Sequence, residues 1–199
     1  MKTLLFTILS IITITFLSGC QTTNENYDYE YEFPDIDFYE TTYDKYIYPK
    51  DGDTLVFDTI GTVRLYYIDT PESFDSTRLN YQADKCAFGD IDVIKEMGVI
   101  ATSKLSKYIT IDGIYKIDMK KERDLYGRIL ARVSSNNNET LQENMVRGGW
   151  AVPYFFYTDF NDRDFNYEKD LLNAMADARI NNRGFWSEYP QIMECLSEN

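Results

Sequence analysis

The chain predicts an α+β fold in which a small β-barrel carries three helices. Three observations lead there. Runs of β-branched and aromatic residues cluster between residues 54 and 68 and again between 109 and 133. Helical spacing is confined to one segment inserted between those clusters and two appended after them. Strands and helices never alternate in the regular way that a doubly wound parallel sheet requires.

The first cluster reads as a hairpin, Thr54 to Phe57 and Thr62 to Ile68, around the turn-prone Asp58-Thr59-Ile60-Gly61. Ile94, Met97, Ala101 and Leu105 recur at helical spacing and predict a core-facing helix from about Asp92 to Tyr108, against which Gly98 is a mild objection. Ile109 and Ile111, then Ile117 and Met119, predict two short strands joined around Asp112-Gly113, and Arg128 to Val133 a further strand. Ser134 to Asn138 is a polar turn. Leu141, Met145 and Val146 give a short helix that Gly148 and Gly149 terminate. A last helix runs from about Tyr167 to Ile180, with Leu171, Ala174 and Ala178 inside and Asn181-Asn182 ending it.

Ahead of this domain stand two segments of different character. Residues 1–20 combine Lys2, an apolar stretch from Leu4 to Leu17 and the sequence Leu17-Ser18-Gly19-Cys20; the apolar stretch is shorter than the ~20 residues of a spanning helix, so it reads as an export signal. LSGC resembles the bacterial lipobox, which implies lipidation at Cys20 and an extracytoplasmic protein held on a membrane by its lipid, with plain secretion as the runner-up. Residues 21–44 hold eight acidic residues and neither Lys nor Arg. Like charges on a polar, Tyr-rich segment repel and extend it, so this is read as a spacer, leaving 45–199 as the domain. With Cys20 assigned to lipid, Cys86 and Cys195 remain as an even pair in an oxidising compartment; they form a candidate disulfide, with two free thiols as the alternative.

The net charge is −13, and it is still −6 once residues 1–44, with eight acids and one lysine, are set aside. That counts against capture of nucleic acid by a broadly basic surface but leaves a local basic cleft open. There is no histidine. Hydrolysis by this chain would therefore have to run on carboxylates, arginines and a hard cation.

Three clusters offer those groups. Asp51-Gly52-Asp53-Thr54 would place two carboxylates on one side if the segment is extended, which suits an oxygen-seeking cation; an Asp-Gly turn is the plainer reading. RLYYIDTPE puts Arg64 on a strand and Asp69, Thr70 and Glu72 at its exit, where functional side chains often sit; in isolation a surface arginine and an Asx turn or helix start are the plainer readings. Arg64 and Asp69 are five apart, which on a regular strand sends them to opposite faces, so a shared site demands a bend. DLYGR supplies Arg128, able to donate two parallel hydrogen bonds to phosphate, and Tyr126, which could stack on a base or simply pack.

Taken in order and spacing, DGDT, RLYYIDTPE and DLYGR, with TLQENMVRGGWA and RGFWSE after them, resemble the staphylococcal nuclease (thermonuclease) family over most of Lys45 to Glu188. The resemblance implies a five-stranded OB-fold barrel with three helices. It implies that Asp53, Asp69 and the Thr70 carbonyl hold Ca2+, with Asp51 joining through water. It further implies that Glu72 orients or deprotonates the attacking water and that Arg64 and Arg128 hold the scissile phosphate. The implied reaction cuts the 5′ P–O bond of DNA or RNA and leaves 3′-phosphates.

The chain departs from the family pattern at Leu125, where a lysine is common before Tyr-Gly-Arg, in its acidic surface, and in a longer, reshaped loop from Phe74 to Asp92 that carries Cys86. Trp150, Tyr154, Phe155 and Tyr157 lie near where the family packs aromatics on nucleotide, although core packing accounts for them as well. The expected function is a monomeric, Ca2+-dependent extracytoplasmic nuclease. The alternative is a non-catalytic OB module that binds nucleic acid or a surface partner.

Overall fold

The computed structural model describes residues 40–135, 139–155 and 163–198. The elements run β1 (Glu40–Pro49), β2 (Thr54–Phe57), β3 (Gly61–Leu65), β4 (Ile68–Asp69), α1 (Thr77–Cys86), α2 (Ile91–Tyr108), β5 (Ile114–Arg123), β6 (Ile129–Ser134), α3 (Leu141–Arg147), β7 (Val152–Pro153), α4 (Phe165–Ile180), α5 (Phe185–Glu188) and α6 (Pro190–Ser197). Strands β1-β2-β3-β6-β5 close into a barrel, with β3 and β6 parallel and the other pairs antiparallel, while β4 and β7 form a separate two-stranded ribbon. The architecture is the expected α+β OB-type barrel. The export signal, Cys20, most of the acidic segment, Tyr157 and residues 136–138 of the polar turn lie outside the described residues.

The barrel is filled by Leu55, Val63, Leu65, Ile117, Ala131 and Val133, all with no exposed surface. Helix α2 lays Ile94, Met97, Ala101 and Leu105 inward, and α3 starts on a capping box in which Thr140 accepts from the Glu143 N–H and Glu143 reaches back to the Thr140 N–H. Gln142 is fully buried, yet its amide donates to Tyr66 O and Ala131 O and accepts from the Val133 N–H, so the polar group sits where the ladder opens.

Three local expectations change. The barrel begins at Glu40, inside the stretch read as spacer: Glu40 to Lys45 pair in antiparallel register with Met119 to Ile114 of β5. The acidic composition hid this, because these residues are held by a backbone ladder rather than by apolar side chains. Residues 109–111 are not a strand. Asp112 takes a left-handed φ of 62°, and the turn is tied to β1 by Tyr46 N–H to Gly113 O and Asp112 N–H to Tyr46 O. Among the described residues there are three helices beyond those expected, α1, α5 and α6. The Phe74–Asp92 loop contains one of them, started by Ser76, whose hydroxyl accepts from the Leu79 N–H.

The Sγ atoms of Cys86, at the end of α1, and Cys195, in α6, are 2.05 Å apart in a disulfide that closes 109 residues. Closure of a loop that long typically contributes about 2–5 kcal/mol. It fixes α1 against the C-terminal helix.

Asp44 shows why β1 must start early. The residue is 6% exposed, and its carboxylate accepts backbone N–H bonds from Lys45 at 2.7 Å, Thr59 at 2.9 Å and Ile60 at 2.8 Å. Burial pushes its pKa up, but these N–H groups outweigh burial and hold it below the ordinary value of 3.8. Replacing Asp44 by Ala leaves three donors without their acceptor and lowers unfolding free energy by about 1–3 kcal/mol in urea titrations. Because the folded pKa is depressed, the contribution is complete above about pH 4 and is lost as pH falls through the lower folded value. The wild-type advantage over the variant therefore disappears only in acid.

Candidate active site

The hairpin β2–β3 brings the first two clusters together. Thr54 lies opposite Arg64 in the antiparallel register, and the Leu65 N–H donates to Asp53 O at 2.7 Å. The DGDT segment is not extended: Lys50 N–H to Thr54 O closes a turn, and Asp51 Oδ1 accepts from the Asp53 N–H at 3.1 Å. Gly52 is required here by close approach, since a Cβ on it would lie 2.7 Å from Thr70 Oγ1 and 2.8 Å from the Ala101 Cβ. The first turn is thus pressed against the exit loop of the second cluster.

The bend between Arg64 and Asp69 is built at Tyr67, a buried residue with φ of 73°. A left-handed tyrosine is uncommon and persists only where surroundings hold it. Its ring packs edge-on against Phe155 and Tyr167, its hydroxyl accepts from the Asp164 N–H, and its carbonyl accepts from the Tyr154 N–H at 2.8 Å. The chain turns there, ends β3 and starts β4. Arg64 Nη2 consequently reaches Asp69 Oδ1 at 2.8 Å and Ile68 O at 3.2 Å, while Arg64 Nη1 pairs with Asp53 Oδ1. Arg64 is largely withdrawn from solvent, which disfavours its charge, but Asp53 and Asp69 more than offset this and push its pKa further up.

Arg128 enters from the turn between β5 and β6. Its Nε donates to Asp124 Oδ2 at 2.6 Å, and its backbone N–H donates to Asp124 Oδ1 at 2.8 Å. Its Nη1 donates to Thr54 Oγ1 at 3.0 Å, and that hydroxyl donates to Asp53 Oδ1 at 2.9 Å. Burial raises the Asp124 pKa, yet the Arg128 contacts outweigh it and leave the carboxyl below the usual range. The Tyr126 ring, 82% exposed, sits 5.4 Å from the Arg128 guanidinium carbon.

Asp51, Asp53, Arg64, Asp69, Thr70, Glu72, Tyr126 and Arg128 all line one open cleft of about 530 Å3. Glu72 is pushed up to about 7, first by burial and then by the charges of Asp53 and Asp69. Asp53 rises to about 6 because burial outweighs the neighbouring Arg64.

Among the described residues, no three His, Cys, Asp or Glu side chains are grouped closely enough to hold a metal ion by themselves. The donor chemistry nevertheless fits a hard cation. Asp53, Asp69 and Thr70 line the cleft and carry the oxygen donors that Ca2+ takes alongside water and substrate oxygens; Asp69 Oδ1 accepts from Arg64, its Oδ2 from Arg78 and Gln82, and Thr70 O from Gln82.

Two residues with no assigned part in the sequence reading belong to this constellation. Gln82 of α1 is buried; its Nε2 donates to Thr70 O at 3.2 Å and Asp69 Oδ2 at 3.3 Å, and its Oε1 accepts from the Glu72 N–H at 2.9 Å. Arg78 Nη2 donates to Asp69 Oδ2 at 2.7 Å. Both sit on the helix inside the presumed loop, so no motif marked them; the one available signal was Gln82 and Arg78 at helical i, i+4 spacing. Of the four aromatics, Tyr154 lines the cleft, whereas Trp150 packs on Phe185 and Phe155 on Tyr67 in the core. Leu125 is 97% exposed.

Sequence comparison supplies what geometry alone does not. The family model described as staphylococcal nuclease homologue matches residues 62–188, which takes in Arg64, the DTPE exit loop and Arg128. Endonuclease YhcR of Bacillus subtilis (strain 168) is similar at 25% identity over 153 residues, which is 72% of this chain but 11% of that protein. The match covers more than half of the chain and the structure shows the barrel. The chain belongs to the staphylococcal nuclease homologues.

Proposed function

We propose that this chain is a Ca2+-dependent nuclease that hydrolyses phosphodiester bonds of DNA, and of RNA, outside the cytoplasmic membrane. The observation that carries the reading is the convergence of Arg64, Arg128 and Glu72 with Asp53 and Asp69 on one cleft, although they derive from three separated clusters. The relative's description as an endonuclease supports it.

Asp53, Asp69 and the Thr70 carbonyl would hold the cation, with Asp51 contributing through water. Bound there, Ca2+ would polarise a phosphate oxygen. Arg64 and Arg128 hold the remaining phosphate oxygens and neutralise charge as phosphorus becomes five-coordinate. Glu72 takes a proton from the attacking water, the new P–O bond forms, the 5′ P–O bond breaks, and the 5′-oxygen leaves with a proton from solvent. Two-point anchoring by Asp124 and Thr54 preorganises Arg128 for this task.

Purified protein in a DNA zymogram should clear the lane containing Ca2+ and leave the chelator lane intact. DNA bound but uncut in Ca2+ would replace the nuclease with a binding module. Anchoring rests on the Leu17-Ser18-Gly19-Cys20 sequence. Among the described residues no helix is long and apolar enough to cross a membrane. Metabolic labelling with a tagged fatty acid should mark the wild-type chain and not Cys20→Ala, which should appear in the medium.

A further inference from the structure

Arg78 is the second residue of α1, and three independent ties hold that helix beside the cleft. Gln82 binds Glu72, Thr70 and Asp69; Cys86 is bonded to Cys195; and Leu79 and Ala83 are buried against Ile94. The side chain lines the cleft with Tyr154. Its guanidinium carbon lies 5.4 Å from the Tyr81 ring centre and 5.6 Å from that of Tyr154, within cation–π reach of both.

Arg78 donates to Asp69 Oδ2 at 2.7 Å but is not the sole partner of that carboxylate. Asp69 already accepts from Arg64 on Oδ1 and from Gln82 on Oδ2. The Arg78 side chain is 30% exposed, against 14% for Arg64, so it is the more accessible of the two arginines on that carboxylate. In a domain with net charge −6, capture of a polyanion depends on such local cations. A planar fork flanked by aromatic rings is also the combination that tracks a nucleic-acid strand, the fork on phosphate and rings on bases.

We propose that Arg78 is a third substrate-holding arginine, contacting a phosphate that flanks the scissile one, and that α1 is part of the nucleic-acid-binding surface. The proposal rests on the nuclease reading. A residue that acts in this way contributes to binding more than to the chemical step.

The test measures binding of a fluorescent single-stranded DNA octamer in chelator, where no cleavage occurs, across a range of NaCl, together with steady-state cleavage in Ca2+. Arg78→Gln should weaken binding about tenfold and lower the slope of log K against log[salt] by about 0.7, the loss of one phosphate contact on a single strand. KM should rise by a larger factor than kcat falls. Arg78→Lys, which keeps the charge, should keep the slope. An unchanged slope in Arg78→Gln overturns the proposal, whether or not its melting temperature falls, and so does a loss confined to kcat. If wild-type protein neither binds nor cuts, the nuclease reading falls and this proposal with it; if wild type cuts and Arg78→Gln keeps its slope, only the role of Arg78 falls.

Discussion

Arg128→Ala cuts the rate of DNA cleavage by about 10²–10³-fold, the usual cost of removing one preorganised donor to a developing oxyanion, while melting stays close to wild type. The geometry sets both halves of this expectation. The guanidinium is spread between Asp124 and Thr54 at the cleft surface, so its loss opens no core cavity, and the Asp124 carboxylate left behind is partly solvated. Arg128→Lys recovers only part of the rate, because an ammonium cannot bond Asp124, Thr54 and a phosphate through one rigid fork. Asp124→Asn causes a smaller loss than Arg128→Ala, since it loosens the arginine without removing it. Single-turnover cleavage beside thermal melting measures all three; a rate near wild type for Arg128→Ala would remove this residue from the phosphate site.

The second large effect is expected at Gly98, in the middle of α2. In an exposed helix, Gly→Ala stabilises by about 0.5–1 kcal/mol. Here the sign reverses. A Cβ on Gly98 would lie 2.5 Å from both the carbonyl carbon and oxygen of Glu72 and 2.6 Å from the Ser73 nitrogen. Those are backbone atoms of the loop that carries the proposed proton acceptor, and they can move only by shifting Glu72. Gly98→Ala should lower stability by about 1–3 kcal/mol and reduce cleavage by about 10²-fold, since a displacement near 1 Å at a reacting group has that cost. Urea titration and cleavage rates read the two effects separately. Increased stability with normal cleavage would show that the loop has room the structure does not give it.

Gly98 also illustrates how the sequence misleads. By helical propensity it counts against α2, yet it is what lets α2 pack on the Glu72 loop. The segment from Glu40 to Asp44 misleads in the opposite direction. Its acidity suggested a solvated spacer, but Asp44 is spent on backbone N–H groups of the β2–β3 turn and the strand is held by β5. In both places a long-range contact overrides the local signal.

Helix α1 was hidden for a related reason. Its polar residues Asn80, Gln82 and Asp84 give little apolar period, and its buried Gln82 is stable only because Thr70, Glu72 and Asp69 satisfy it. The helix depends on the loop it supports. Helices α5 and α6 follow the expected last helix and are short, and α6 is bound to α1 through Cys195.

By itself the sequence determined the class of fold and the chemical inventory: the apolar period of α2, the β2–β3 hairpin, carboxylates and arginines in three ordered clusters, and the absence of histidine. These are local or compositional properties, readable wherever propensity and spacing agree. Only the tertiary structure decided that the clusters share a cleft, because that depends on Tyr67 turning the chain between Arg64 and Asp69, on Gly52 pressing against Thr70, and on α1 carrying Gln82 and Arg78 to the same carboxylate. Each joins residues whose meeting is set by packing across the whole domain, and such contacts leave no periodic trace in the chain.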